Sequence, residues 1–241
     1  MTKEEMVDAP IGTPVGPPPD DPAVELFVSG RVCLLGEHSD WAGGFRSVNP
    51  EVGKGRCLVV GTLEGLHACA SKGDAPTLRM TSTDNAGGRR SIELPLDDPA
   101  ALLKTAAEGG FWSHVAGTVH ALVGDSSSRH AAAVAAAGHG LVIDNHRTTL
   151  PVKKGLSSSA AVCVLVARAF SSVYGLSCSS REEMEIAYRG ERTTPSRCGR
   201  MDQGRGQCGR SVDGPRDECV TPSHLMLYRT RGDERPRTCA S

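Results

Sequence analysis

Residues 150–170 read LPVKKGLSSSAAVCVLVARAF and place a glycine and three serines directly before an apolar run. Serine is a poor residue for a helix interior, but in the first turn its hydroxyl satisfies backbone N–H groups that have no partner inside the helix. A glycine-bearing turn that opens a helix also presents N–H groups and the positive end of the helix dipole, which together bind phosphate. A plain N-cap or a flexible serine-rich linker would have the same composition, so this stretch alone leaves phosphate binding open.

The apolar run predicts a helix over 158–174 that is apolar on most of its sides. A helix of this kind is buried between layers instead of lying on the surface. The glycine before it is not part of a Walker A loop, because G-x-x-x-x-G-K-[ST] does not occur in the chain. A phosphate site at this position would therefore be of another kind.

Composition excludes several classes of function. The chain has 241 residues and a formal net charge of −1, and its aromatic residues are sparse, so neither a nucleic acid nor an anionic membrane is indicated as a partner. No apolar run approaches the roughly 20 residues that cross a bilayer. The nine cysteines form no C-x-x-C pair, and we expect mostly free thiols in a reducing compartment. These features predict a soluble cytoplasmic protein, and no protein partner is evident.

The order of predicted elements points to a mixed α/β chain. An acidic, proline-rich arm over 1–22 precedes a strand or strand pair interrupted near Gly30. Three further strands are predicted by RCLVVGTLEGLHACAS, TLRMTST and RSIELPL, and a later one by GLVIDNH. Residues 99–124 predict two helical pieces broken at Gly109 and Gly110.

Three later segments have less regular patterns. The alanine-rich segment 126–140 has no amphipathic pattern, and we interpret it as a surface insertion rather than a helix. Residues 179–191 predict a helix that opens with a capping box of Ser180 and Glu183. After Gly204 the chain is rich in Arg, Gly, Pro and Cys, with HLMLY as its one apolar run, so residues 204–241 are predicted to be irregular.

Two further segments carry polar side chains that suit chemistry. GRVCLLGEHSDWAGG, residues 30–44, places Glu37, His38 and Asp40 after an apolar strand, where they could bind a polyhydroxylated ligand; a solvated acidic turn is the alternative. GERTTPSRCGRMDQ, residues 190–203, contains Glu191 and Asp202. One carboxylate to bind Mg²⁺ and another to accept a hydroxyl proton are what phosphoryl transfer needs.

Taken together and in this order, GRVCLLGEHSDWAGG, LPVKKGLSSSAA and CGRMDQ resemble the motifs of the GHMP kinases, which phosphorylate small metabolites. Within that group they are most similar to the galactokinase-type sugar kinases. The resemblance implies an α+β fold, the GHMP-kinase N-terminal domain of the ribosomal protein S5 domain 2-like type, with the ferredoxin-like C-terminal domain largely missing. It also implies a disordered arm over 1–22, an ATP- and sugar-binding domain over 23–203 and an irregular tail over 204–241.

The same resemblance implies roles for individual residues. Asp202 would be the catalytic base, and Arg31 would lie near both Asp202 and the transferring phosphoryl group. Sugar hydroxyls would be bound by Glu37, His38 and Asp40. Mg²⁺ would be bound by Ser158 or Ser159 and by Glu191. The ATP-phosphate loop would comprise Gly155, Leu156, Ser157, Ser158, Ser159 and Ala160. Lys153 and Lys154 are interpreted as solvated, and Cys198 as a packing residue.

The resemblance is incomplete after the third motif. GHMP kinases carry a further glycine-rich motif in their second domain, and the one late candidate, GRGQCG at 204–209, does not follow a predicted strand and open a helix. We hypothesise that the tail reflects a shifted reading frame, a misjudged splice or a truncated gene product. Without a second domain the cleft would lack one wall, which would weaken positioning of the reactants.

Three hypotheses of function follow. The first is an ATP-dependent sugar 1-kinase with ATP and Mg²⁺ in its site and a small-molecule sugar as substrate. The second is a catalytically silent homologue, or an inactive fragment, that binds sugar or nucleotide. The third is a GHMP kinase for a non-sugar alcohol such as mevalonate or homoserine. The sequence GEHSD favours a sugar, but it does not distinguish galactose, arabinose and glucuronic acid.

Overall fold

A computed structural model gives the architecture of the chain. It describes residues 23–37, 48–51, 56–84, 86–151, 155–196, 198–203 and 226–229. Its strands and helices, in chain order, are β1 (Val24–Leu35), β2 (Arg56–Gly73), β3 (Thr77–Thr83), β4 (Arg89–Pro95), α1 (Pro99–Glu108), α2 (Ser113–Val123), α3 (Arg129–Ala137), β5 (Gly140–Thr148), α4 (Ser158–Val173), α5 (Ser180–Glu191) and β6 (Met226–Arg229).

The strands form one mixed sheet in the order β1-β2-β5-β3-β4. Strands β3 and β5 run parallel, and the other neighbouring pairs are antiparallel. Strand β6 pairs with residues 56–59 of β2. Helix α4 packs on β1, β2 and β5, and helices α2 and α5 pack on α4. The mixed sheet with helices packed on it confirms the predicted fold class.

Strand β1 is continuous, with an irregular register next to Gly30, where the sequence predicts an interruption. A side chain at this position would lie 2.6 Å from the Thr62 hydroxyl and closer still to Leu150, so a larger residue would have to displace these side chains. The close approach brings β1 against the loop before α4, where the N–H of Arg31 donates to the carbonyl of Leu156 at 3.4 Å. Gly30 thus brings the first motif into contact with the second.

Helix α4 is the centre of the core. Ten of its residues are buried, and most are aliphatic or alanine, as the apolar run predicts. The exception is Arg168, which pairs with the buried Glu183 of α5 at 3.2 Å and also donates to the carbonyl of Phe27 in β1 at 3.1 Å. Because a buried charge is costly unless it is paired, this ion pair allows α4 to carry an arginine inside the core.

Helices α2 and α5 approach each other at two glycines. A side chain at Gly190 would lie 2.5 Å from the Cα of Thr118, and one at Gly117 would meet the carbonyl oxygen of Gly190. Because these obstacles are backbone atoms, the helices could not accommodate larger residues without moving apart. The contact fixes the end of α5, where Glu191 lies.

The structure corrects two expectations. The alanine-rich segment is not an insertion but contains helix α3, with Ser128 as its N-cap and Gly138, at φ 68°, after its last residue. The capping box of α5 consists of Ser179 and Glu182, one residue earlier than predicted. Of the predicted irregular tail the structure describes residues 226–229, which form strand β6 and pair with β2.

Among the helices that the structure describes, none is both long and apolar enough to span a bilayer. Six cysteines lie within the described residues, and all six are free thiols.

Candidate functional site

The amino end of helix α4 lies at the centre of the candidate site. Gly155 and Ser157 both have positive φ, 75° and 52°, so the loop makes a tight left-handed turn directly before the helix. Ser157 is the N-cap residue, but its hydroxyl does not cap the helix. Instead it donates to Oδ1 of Asp202 at 2.8 Å. The turn therefore leaves the first helical N–H groups to an acceptor other than the N-cap side chain.

Asp202 and Arg31 form an ion pair beside this turn. Nε of Arg31 donates to Oδ1 of Asp202 at 3.0 Å, and Nη2 contacts the same oxygen. Arg31 comes from the irregular part of β1 and is buried, whereas the Asp202 side chain is 23% exposed. The carboxylate is thus held by two donors and still faces solvent, as a group that exchanges a proton with a substrate must.

Glu191, at the end of α5, lies buried on the other side of the amino end of α4. It is 1% exposed, and Oε1 accepts a hydrogen bond from the Ser159 hydroxyl at 2.8 Å. Its other oxygen accepts from the side-chain amide of Gln203 at 2.7 Å, and Ser196 donates to Oε1 at 3.4 Å. All three donors are neutral, so they satisfy the oxygens of Glu191 without neutralising its charge.

His114 of α2 is the fourth group near this carboxylate, with Nε2 3.9 Å from Oε1 of Glu191. Burial lowers the pKa of His114 below its ordinary value, while the charge of Glu191 acts in the opposite direction. The histidine is therefore uncharged at neutral pH. Within the described residues it is the one basic side chain within 4 Å of a Glu191 oxygen. A buried carboxylate among neutral groups is a fitting place for a cation.

No group of three or more His, Cys, Asp or Glu side chains in the described part of the chain is arranged to hold a metal ion. A cation at Glu191 would lie near the Ser159 hydroxyl and would need ligand oxygens from elsewhere. Phosphate oxygens supply such ligands for Mg²⁺, which binds through one or two carboxylates plus substrate phosphates. The donor set therefore fits a magnesium–nucleotide complex.

Cys198 lies close to both carboxylates but is chemically inert. Burial, and next the charge of Glu191, raise the pKa of its thiol to about 12. The thiol is protonated at neutral pH and is not a nucleophile. This agrees with its interpretation as a packing residue.

The structure brings together the residues predicted from the second and third motifs, together with Arg31 of the first. Glu37 is exposed, just past the end of β1, and none of the contacts above involves it. The predicted sugar-binding residues His38 and Asp40 lie outside the described residues, as do Lys153 and Lys154.

Sequence reasoning did not assign a role to two of the groups around Glu191. Gln203 ends the CGRMDQ motif, so its position next to Asp202 was a signal that could have identified it. His114 lies in a stretch that only predicts a helix, and no spacing connects it to the other motifs. Only the packing of α2 on α5 brings it to the site.

The chain resembles known proteins in its family model and its fold. The family model of the GHMP kinases N terminal domain matches residues 100–205, which contain Asp202, helices α2 to α5 and all of α1 but its first residue. A galactokinase from Lactococcus lactis, solved with galactose, superposes with a TM-score of 0.54 at 22% identity, over 75% of this chain and 40% of that one.

Two mevalonate kinases have the same fold. One superposes with a TM-score of 0.56 at 12% identity, over 87% of this chain and 56% of its own. The mevalonate kinase of Methanococcus jannaschii superposes with a TM-score of 0.54 at 14% identity, over 82% of this chain and 57% of its own. The chain spans about half the length of these three proteins. Residues 100–205 thus match the GHMP kinases N terminal domain, and the chain shares the fold of these three kinases.

Proposed function

We propose that the chain takes part in transferring the γ-phosphoryl group of ATP to a hydroxyl of a monosaccharide, with Asp202 as the catalytic base. The observation that carries this proposal is the position of Asp202. Its carboxylate contacts both Arg31 and the serine that opens α4. A base, a cation and a helix amino end within hydrogen-bond reach of one another are the parts that phosphoryl transfer requires.

The amino end of α4 is proposed to bind the ATP phosphates. Its first backbone N–H groups and the positive end of the helix dipole attract anions, and the left-handed turn at Gly155 and Ser157 exposes them. Residues 155–160 form this loop in our proposal. The buried body of α4 holds the loop rigidly, because ten of the helix residues are packed in the core.

In the proposed reaction, Asp202 accepts the proton of the acceptor hydroxyl. The freed oxygen forms a bond to the γ-phosphorus as the bond from that phosphorus to the β–γ bridging oxygen breaks, and ADP leaves. Arg31 offsets negative charge that develops on the phosphoryl oxygens. Ser157 keeps the carboxylate turned toward the amino end of α4.

Glu191 and Ser159, with Ser158 as the alternative hydroxyl, would hold the Mg²⁺ that accompanies ATP. Held there, the ion would neutralise charge on the ATP phosphates. Support comes from the burial of Glu191 among neutral donors, which leaves its charge uncompensated within the described residues. Gln203 and His114 would orient the carboxylate.

We propose a sugar as the acceptor, within an ATP- and sugar-binding domain over 23–203. The support is the sequence GEHSD, since three adjacent polar side chains suit the hydroxyls of a sugar better than a simple alcohol. The likeness to a galactokinase and to mevalonate kinases is one of fold and does not choose between these acceptors.

The test is ATP- and Mg²⁺-dependent ADP formation across aldoses, uronic acids, mevalonate and homoserine. Turnover on one sugar and not on the other alcohols would support the proposal. Turnover on mevalonate or homoserine would retain the kinase and overturn the sugar. Binding of ATP with no transfer to any acceptor would identify a silent homologue and overturn the proposed activity of this chain.

A further inference from the structure

We propose that Arg200 is a positioning residue that holds Asp202 in place by fastening residues 200–203, the catalytic turn, to the exposed side of helix α5. The inference rests on the proposed function, because it assigns Arg200 a part in the same phosphoryl transfer. Neither the family match nor the motif reasoning gives this residue a role.

Arg200 makes two kinds of contact with α5. Its Nε donates to Oε2 of Glu185 at 3.2 Å and its Nη2 donates to Oε1 at 3.3 Å, so the guanidinium binds the carboxylate with both arms. The same guanidinium lies 4.2 Å from the ring centre of Tyr188. Glu185 and Tyr188 are three positions apart and therefore lie on one face of the helix. The two hydrogen bonds to Glu185 fix the direction of the guanidinium, and the contact with the Tyr188 ring fixes its plane.

Each of the other residues of the catalytic turn has at least one anchor. Met201 packs in a small apolar cluster with Cys57 and Val59 of β2. Asp202 binds Arg31 and Ser157, and Gln203 donates to Glu191. Arg200 adds the only one of these anchors, within the described residues, that reaches the exposed side of α5. Four consecutive side chains thus hold the turn from four directions.

The Arg200 contacts are suited to positioning more than to global stability. The arginine side chain is 28% exposed and Glu185 is 47% exposed, and ion pairs of this kind contribute little to the free energy of unfolding. A displacement of about 1 Å in a catalytic group can nevertheless cost about 100-fold in rate. Loss of Arg200 should therefore affect turnover far more than melting temperature.

Arg192 provides a matched control. It lies near the same tyrosine, with its guanidinium 5.8 Å from the ring centre, and donates to the Tyr188 hydroxyl at 3.3 Å. It directly follows α5 and does not belong to the catalytic turn. Replacing it removes an arginine from the same ring without releasing the turn.

The experiment compares Arg200→Ala, Arg200→Lys and Arg192→Ala with the unchanged protein. It measures kcat and KM for ATP separately, the melting temperature, and amide hydrogen exchange of peptides that contain residues 201–203. We expect Arg200→Ala to lower kcat about tenfold or more, with KM for ATP changed less than about twofold, and to speed exchange in the turn. Arg200→Lys keeps the positive charge but cannot form both hydrogen bonds to Glu185, so it should recover part of kcat. Arg192→Ala should leave kcat, KM, melting temperature and hydrogen exchange near their original values.

An Arg200→Ala variant with unchanged kcat and unchanged exchange would overturn the inference. A fall in melting temperature with kcat and KM changed in parallel would do so too, since that is a purely structural effect. If the unchanged protein transfers phosphate to no acceptor, the proposed function fails, and hydrogen exchange still decides the inference. Faster exchange at 201–203 without a lower melting temperature would support the anchor, and equal exchange would overturn it.

Discussion

The hydroxyl of Ser157 donates to Oδ1 of Asp202 at 2.8 Å, although the two residues are 45 positions apart. Serine at a helix amino end ordinarily gives its side chain to the N–H groups of its own helix. Here it holds the carboxylate of a distant motif, while its backbone adopts φ 52°. The residue thus links the amino end of α4, the proposed phosphate site, to the proposed base, and it does so in an unfavourable backbone conformation.

This link predicts different effects for two small residues at position 157. Both Ser157→Gly and Ser157→Ala remove the hydroxyl, and each should lower turnover about tenfold, since a hydrogen bond to a charged group contributes about 1.5–3 kcal/mol. Glycine adopts positive φ without steric cost, whereas alanine does not. Thermal or urea unfolding should show Ser157→Gly more stable than Ser157→Ala by about 1 kcal/mol. Equal stability of the two variants would contradict the left-handed conformation.

Glu191→Gln should leave the fold intact and weaken binding of the magnesium–nucleotide complex about tenfold or more. The new amide can donate to Oε1 of Gln203, which is buried and has no hydrogen-bond partner in the described structure, once that side chain turns over. Its oxygen still accepts from Ser159. Only the charge is lost, and that charge is what attracts the cation.

Titration calorimetry with ATP, with and without Mg²⁺, measures this effect. The matched control is Glu108→Gln, the same charge change on an exposed side chain at the end of α1. If the Glu191→Gln protein binds the magnesium–ATP complex as tightly as the Glu108→Gln protein does, Glu191 is not part of the metal site.

Gly190→Ala should destabilise the chain by about 1–3 kcal/mol and also impair nucleotide binding. The added methyl group would lie 2.5 Å from the Cα of Thr118, so α2 and α5 must move apart and carry Glu191 with them. Gly138→Ala is the comparison. It has φ 68° and no atom within 4 Å of the added methyl group, so it strains the backbone without displacing a helix. Urea unfolding should show a loss of stability for Gly190→Ala, and its nucleotide affinity should fall. Gly138→Ala should retain its nucleotide affinity.

The capping box of α5 predicts a loss of stability in acid. Hydrogen bonds from the N–H and hydroxyl of Ser179, and then one from Arg129, lower the pKa of Glu182 to about 2, against 4.5 for an unconstrained glutamate. Because the folded-state pKa is depressed, this contribution is complete above about pH 4.5 and is lost as the pH falls toward 2.

Urea unfolding of Glu182→Gln at pH 6 and at pH 3 measures this contribution. The variant should be less stable than the unchanged protein at pH 6, and the difference should shrink at pH 3. Ser179→Ala, which removes the partner hydroxyl, should reproduce part of the same pH dependence. A difference that stays constant between the two pH values would show that Glu182 is not the group responsible.

Most strands and the buried helix could be predicted because their patterns are local. The apolar runs of β1 to β5 and the all-round apolar face of α4 are visible in the sequence alone. Helix α3 was missed because alanine gives no amphipathic signal, although Ser128 and Gly138 mark its two ends. The capping box was displaced by one residue because two serines and two glutamates are adjacent there. Glu183 is committed to Arg168 in the core, which leaves Glu182 for the cap.

The site was predictable in its motif residues and not in its supporting contacts. The motifs indicate Arg31, Glu191 and Asp202, and the structure places the first and last in contact. The contacts of Arg200 with α5 and of His114 with Glu191 depend on how α2, α5 and the catalytic turn pack. Such contacts join residues that share no motif and no spacing, so they can be read only from the fold.

The most direct test of the account is phosphoryl transfer by Asp202→Asn beside the unchanged protein, with ATP affinity measured on both. Asparagine has nearly the same shape and can still accept from Ser157, but it cannot take up the acceptor proton. We expect ATP to bind both proteins alike and turnover to fall about 100-fold or more in the variant. An Asp202→Asn protein that transfers phosphate as fast as the unchanged one would contradict the assignment of Asp202 as the base.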